Sequence, residues 1–329
     1  MSAPVPTTLD DEVAADTARD DAYTDLLARL SRQSVVKHFD AYADVPWDDP
    51  DMAVDPDDPR WALPATDALA RTAWYQSQPA GIQARIGLHR IAVNMKVGLQ
   101  FESILKRGLL EFAAKLQNGA PEFRYAYHEV IEEAHHSLMF QEFVNRTGLE
   151  VPGMPWHMQF GARRVVTLGR RFPELFFLFV LGGEDPIDHV QRQALRGGEV
   201  HPLLERIMRI HVTEEARHLS FARHYLKRQV PKLPWRKRQA LAWQTPFILG
   251  QMAAQMLGVP PVVARTYGIP KRVIRQAYRE DPDAGQFVKD SLRKVRELAV
   301  EIGIVTPVSK LVWKRFGLWD EPRRAAASG

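Results

Sequence analysis

From about Thr66 to residue 316, apolar residues recur every three or four positions with few lapses. That spacing lines up one face of a helix, and no stretch shows the two-residue alternation of a strand. The pattern predicts a first helix from Asp21 to about Phe39, with Leu26, Leu27, Leu30 and Val35 on its apolar side. Residues 40–66 break the period with Pro46, Pro50, Pro56, Pro59, Pro64 and many Asp. They read as an irregular lid or wrapped arm, pinned by Trp47 and Trp61. Pro79 opens a long helix reaching Gln117, where Asn118-Gly119 stops it. Pro121 starts the next helix and Gly148 ends it. After a Pro/Gly connection over 149–155, a helix follows near 156–170. Pro173 then opens a very apolar helix with Pro186 inside it, which predicts a kink or a switch of hydrogen bonding, and Gly197-Gly198 closes it. A helix from His201 or Pro202 to Arg228 follows, then a basic connector and three or four helices over 234–316.

The expected fold is all-α: four long helices in a ferritin-like bundle, with extra helices at both ends. Residues 20–320 form one domain, between a disordered tail at 1–19 and a flexible tail at 321–329. The 329 residues suffice to bury a large core. No run of about 18 uncharged apolar residues predicts a transmembrane helix. The acidic N-terminus has no apolar segment of the kind that marks a secretory signal, and a cytoplasmic protein is expected.

Two compositional facts narrow the chemistry. The chain has no cysteine, which excludes disulfides, thiolate metal sites, iron–sulfur clusters and cysteine nucleophiles. The net charge of +4 is unevenly spread: residues 1–60 hold 15 acids and 5 bases, the remainder 25 and 39. A basic body raises nucleic acid as a partner, but an Arg-rich helical surface partly covered by the acidic arm accounts for it, and no nucleic-acid partner is expected.

Each of the four long helices carries polar groups where apolar ones belong. Glu102 sits among Gly98, Phe101, Ile104 and Leu105, and Glu184 follows FFLFVLGG. An ionised carboxylate buried without a cation is prohibitively costly. Glu133 and His136 share a helix face, as do His211, Glu215 and His218, the latter two lying at about 40° and −20° from the first. Two Glu-x-x-His units plus a Glu from each of two further helices form the donor set of dinuclear carboxylate centres. Imidazole mixed with carboxylate suits iron, with manganese as a substitute. His135, Glu132 and Glu214 lie about 100° around their helices and read as non-ligands. Asp188, one turn after Glu184, is placed to accept a proton from a ligand imidazole. Tyr125 and Tyr127 read as packing residues. Gly98, Phe101, Leu105, Gly182 and Gly183 would line a substrate pocket, or the glycines would mark close helix packing.

The order Glu…Glu-x-x-His…Glu…His-x-x-x-Glu-x-x-His resembles the p-aminobenzoate N-oxygenase (AurF-type) di-iron family over roughly residues 80–230. The third histidine, four before the last Glu, marks that group, and His211 holds its place here. The resemblance implies seven ligands: Glu102, Glu133, His136, Glu184, His211, Glu215 and His218. It further implies two iron ions, dioxygen as co-substrate, a homodimer, and oxidation of an aromatic amine toward hydroxylamine and nitro products. An external electron donor is required, since no flavin, haem or iron–sulfur motif is visible. The chain departs from the pattern by placing Asp185-Pro186 directly after the third carboxylate. Two other readings compete. One is a desaturase or hydroxylase of an acyl or lipid substrate, its channel lined by Leu175–Leu181. The other is metal storage or a dinuclear hydrolase.

Overall fold

The computed structural model describes residues 9–197 and 199–319. Helices follow one another along the chain: α1 (Leu9–Val36), α2 (Ala73–Gln76), α3 (Ala80–Ala113), α4 (Pro121–Thr147), α5 (Trp156–Arg171), α6 (Pro173–Gly197), α7 (Pro202–Gln229) and α8 (Trp235–Met256). Five shorter ones complete the chain: α9 (Pro261–Thr266), α10 (Lys271–Arg275), α11 (Pro282–Ser291), α12 (Arg293–Glu301) and α13 (Pro307–Arg315). No strand occurs among the described residues. The fold is the expected all-α bundle, with α3, α4, α6 and α7 at its centre, α3 packed along α4 and α6 along α7.

The punctuation read from the sequence operates as physics requires. Pro121 and Pro202 occupy first-turn positions, where no N–H is missed. Gly148 caps α4 in the left-handed region at φ 62°. Four expectations need correction. First, the helix expected from Asp21 starts at Leu9, so residues 9–19 of the expected tail are helical. This segment, LDDEVAADTAR, has good helix formers and acids in its first turn, which favour the N-terminal end of the helix dipole. Residues 1–8 and the expected tail at 321–329 lie outside the described residues. Second, α3 ends at Ala113, and the chain tightens into i→i+3 bonds, Lys115 N to Phe112 O and Leu116 N to Ala113 O, before reaching Gly119. Third, six helices, α8 and the five shorter ones after it, and not three or four, fill residues 234–316.

The fourth correction concerns residues 235–266, which contain an 18-residue window with a mean hydropathy of 1.4 and so, by length and composition only, could cross a membrane. Glutamines at 239, 244, 251 and 255 interrupt this run without charging it, so it does not read as an unbroken apolar stretch. About a quarter of its most apolar window is buried (28%). The buried part includes Leu241, Ala242, Leu249 and Ala253 of α8, which packs on α6 and α13.

Two apolar layers enclose the middle of the bundle. In one, Phe112, Phe177, Phe221 and Tyr225 interlock edge to face, with ring centroids 5.3 Å (Phe112–Phe177) and 5.2 Å (Phe177–Phe221) apart. In the other, Trp61 stacks on His201 at 4.0 Å and meets Phe143. Trp47 and Trp61 are both buried and pin residues 40–66 as expected, through Nε1 bonds to Ala41 O and Asp55 O. Gly169 of α5 lies so close to α3 that an added Cβ would stand 2.0 Å from the Gly108 carbonyl oxygen. Backbone cannot yield as a side-chain tip can. Gly169→Ala is therefore expected to cost about 1–3 kcal/mol, as overpacking does, and urea unfolding checks it.

Candidate metal centre

The four central helices bring all seven expected side chains into the space between the two apolar layers. Glu102 comes from α3, Glu133 and His136 from α4, Glu184 from α6, and His211, Glu215 and His218 from α7. None is more than 3% exposed. Their donor atoms fall into overlapping groups, each with all atoms within 4.8 Å of one another: Glu102–His136–His211, Glu133–His136–Glu215 and Glu184–His211–Glu215. A fourth group, Glu129–Glu133–His218, contains a residue that the spacing argument overlooked. Glu129 precedes Glu133 by one turn and so lies on the same stripe.

The two Glu-x-x-His units point their rings alike. His136 Nδ1 lies 3.2 Å from Glu133 Oε2 and 3.5 Å from Glu215 Oε1. His218 Nδ1 lies 3.0 Å from Glu215 Oε1 and 3.1 Å from Glu133 Oε1. The outward-facing Nε2 atoms meet carboxylates across the α4–α7 seam. His136 Nε2 is 2.9 Å from Glu214 Oε2, and His218 Nε2 is 2.7 Å from Glu132 Oε2. Glu132 and Glu214 are thus not in the ring of donors, as expected, but they hold the imidazoles. Each would take the Nε2 proton and leave the Nδ1 lone pair facing inward. Arg217 closes this outer circuit, its Nη2 lying 2.7 Å from Glu132 Oε1 and 3.5 Å from Glu214 Oε1. His211 is turned the other way. Its Nδ1 meets Gln191 Oε1 at 2.9 Å, and its Nε2 faces Glu102 Oε1 at 3.7 Å.

A legible signal marked this outer ring. Both units are preceded by a second Glu, giving Glu132-Glu133-Ala134-His135-His136 and Glu214-Glu215-Ala216-Arg217-His218. A side chain 100° off the ligand stripe is off the stripe, yet in a bundle it points into the seam with the next helix.

Asp188 does not take the expected role. Its Oδ1 accepts from Arg192 Nε at 2.7 Å and its Oδ2 lies 3.7 Å from Lys294, with no imidazole among its partners. Gln191, seven residues after Glu184, does that work for His211, two turns along the helix instead of one. The Asp185-Pro186 departure leaves Glu184 buried in the cluster. Asp185 bonds to Arg223 of α7, and α6 runs on through Pro186. The expected substrate pocket is filled. A Cβ on Gly183 would meet the Phe101 ring at 2.1 Å and one on Gly182 would meet Leu249 at 2.8 Å, so these glycines mark close packing. Leu105 is fully buried, and Gly98 abuts the Phe140 ring. The run Leu175–Leu181 is likewise packed core. Tyr125 packs edge to face on Phe221 at 4.9 Å, while Tyr127 is exposed against Phe123.

Residues 37–48 cross α4 and α7 beside the centre as a strap. Phe39 N donates to Glu214 Oε1 at 3.1 Å, and Ala41 N donates to His135 Nδ1 at 3.3 Å. A surface cavity of about 390 Å³ opens beside the strap, lined by Phe39, Ile210, Val212 and the guanidinium groups of Arg192, Arg196, Arg206 and Arg209. A crevice that shares Phe39 and Ile210 with this cavity reaches His136 but is too tight to admit a water molecule.

The electrostatics call for cations. Glu102 Oε2, Glu129 Oε2 and Glu215 Oε2 are buried with no hydrogen-bond donor among the described residues. Burial and the neighbouring Glu133 and Glu184 charges push the Glu102 carboxyl well up. Burial and then Glu215 do the same to Glu184, and burial lifts Glu129 to about 8. Burial opposes charge on His136, but hydrogen bonds to Glu133 and Glu214 outweigh it and raise this imidazole to about 10. Burial lowers His211, and the neighbouring His136 charge lowers it further. Without a metal, then, protons hold the charge balance. Divalent ions fit this donor set, since unpartnered carboxylate oxygens and inward-facing imidazole lone pairs are what they require.

A pH dependence follows. Raised carboxyls and raised imidazoles must both lose protons before they can bind a cation, so both make affinity rise with pH. Manganese(II) affinity is expected to rise with pH through the Glu129 value of about 8 and on toward the His136 value of about 10. Calorimetry in buffers of different ionisation enthalpy should show more than one proton released per ion.

The family p-aminobenzoate N-oxygenase AurF matches residues 20–303. Uncharacterized protein Rv0885 of Mycobacterium tuberculosis is 41% identical over 310 residues, covering 94% of this chain and 91% of its own length. Uncharacterized protein Mb0909 of Mycobacterium bovis matches to the same extent. No solved structure matches. With most of the chain matched and a buried Glu/His cluster at the centre of an all-α bundle, this protein belongs to the p-aminobenzoate N-oxygenase AurF family of di-iron oxygenases.

Proposed function

We propose that the chain is a non-haem di-iron oxygenase that oxidises the nitrogen of an aromatic amine, with Glu102, Glu133, His136, Glu184, His211, Glu215 and His218 holding two iron ions. The observation that carries this reading is the set of unpartnered carboxylate oxygens buried beside three imidazoles. Iron bound there would supply dioxygen activation. The chain's own groups supply everything else. Glu132, Glu214 and Gln191 orient the three imidazoles and fix which nitrogen carries the proton. Arg217 pairs with both outer carboxylates and holds them against the imidazoles. The phenylalanine layer and the strap exclude water, which protects a reactive site from side reactions.

The guanidinium-lined cavity favours an arylamine bearing an anionic substituent over a neutral acyl chain, since Arg pairs with carboxylates by charge and geometry. Converting an amine to a hydroxylamine places one oxygen atom of dioxygen in an N–H bond and releases the other as water. Two electrons and two protons come from an external donor. A homodimer is part of this reading, checked by sedimentation. Protein purified with iron supplied should hold about two ions per chain and consume oxygen when given a donor and an arylamine, with a hydroxylamine or nitro product. Oxygen uptake coupled only to a fatty acyl substrate, or no uptake by the iron-loaded protein, would overturn it.

A further inference from the structure

Glu129 has no part in the seven-ligand set, yet it is built into the same space. It stands one turn before Glu133 on α4, is 1% exposed, and offers an oxygen within 4.8 Å of donor atoms on Glu133 and His218. Its Oε2 has no hydrogen-bond partner among the described residues. The His218 imidazole that faces it also meets Glu132, Glu133 and Glu215. Arg217 faces Glu132 and Glu214, and the Lys106 amino group bonds to the Glu133 carbonyl and the Ser137 hydroxyl. Tyr125 and Phe221, fully buried and ring to ring at 4.9 Å, lie on the layer that walls this end of the centre from solvent. A carboxylate so placed must either keep its proton or bind a metal ion.

We propose that Glu129 is a fifth carboxylate donor of the centre, binding the ion on the His218 side. The proposal rests on the dinuclear reading above. Geometry supports it: a stripe of Glu129, Glu133 and His136 at spacings of four and three presents three donors along α4, and His218 meets the first two from α7. Charge supports it as well. Four carboxylates balance two divalent ions, and a fifth favours ions of higher charge, which hard oxygen donors prefer.

The test is manganese(II) binding followed by calorimetry and electron paramagnetic resonance, with Glu129→Gln beside the wild type. Glutamine has the shape of a protonated Glu129 but is a far weaker donor. If Glu129 binds metal, the variant keeps one manganese site at wild-type strength and loses about tenfold or more at the other. Wild-type affinity at both sites in Glu129→Gln would overturn the proposal and leave Glu129 a buried acid, with the seven-residue centre intact. Wild-type protein binding less than one ion per chain would instead overturn the dinuclear reading itself. A crystal structure of the manganese-loaded wild type decides the matter even if the variant does not fold. A Glu129 oxygen within about 2.6 Å of an ion agrees with coordination distances, and one beyond about 3.5 Å overturns the assignment.

Discussion

Glu133→Ala is expected to leave the protein with one ion per chain or fewer and to abolish oxygen uptake. Glu133 takes part in two of the four donor groups, and its two oxygens face different histidines, Oε2 toward His136 at 3.2 Å and Oε1 toward His218 at 3.1 Å. In the proposed centre it would serve both ions, so its removal should weaken each. Deleting an outer partner of a metal ligand commonly costs about 10–100-fold in affinity, and a shared donor should cost more. Metal analysis after dialysis and calorimetric titration measure the loss. The metal-free variant should melt no lower than metal-free wild type, because alanine removes a buried carboxylate that lacks its cation. Unchanged loading would remove Glu133 from the centre.

The second large effect is expected at Arg217, which no spacing argument singled out. It is 6% exposed and is the cation between Glu132 and Glu214, themselves buried. Burial pushes the Glu132 carboxyl up, but its hydrogen bond to His218 and the Arg217 charge outweigh this and hold it near about 2. Arg217→Met would strand two buried carboxylates and is expected to cost about 3–5 kcal/mol. Metal affinity should fall by about 10–100-fold, since both outer carboxylates would shift. Chemical unfolding of metal-free protein reads the first quantity and manganese titration the second. Adding Glu132→Gln and Glu214→Gln to Arg217→Met should restore much of the stability but only part of the affinity, because the stranded charges are gone while a neutral amide acceptor makes an imidazole a weaker donor to metal than a carboxylate does. Stability within about 1 kcal/mol of wild type in the single variant would show that the circuit carries little energy.

The doubled Glu-Glu in both units explains why the centre was legible only in part. Helical period places Glu133 with His136, and His211 with Glu215 and His218, on stripes, and burying carboxylates on apolar stripes requires cations. Those two facts need no knowledge of neighbours. Whether a residue 100° away is solvated or buried depends on what the adjoining helix presents. Glu132 and Glu214 meet each other's histidines because α4 and α7 lie side by side. The same limit explains the misplaced Asp188. It is buried, but Arg192 on its own helix captures it and Gln191 stands opposite His211.

The sequence by itself determined the helical class, the prolines and glycines that bound the long helices, and the donor types that must converge, because each is set by local period and by the cost of burying charge. Only tertiary structure decided the outer circuit through Arg217, the strap over His135 and Glu214, the closing of the Gly183 space by Phe101, and the place of Glu129. These depend on the distance and rotation between helices far apart in the chain, and a one-dimensional period carries neither.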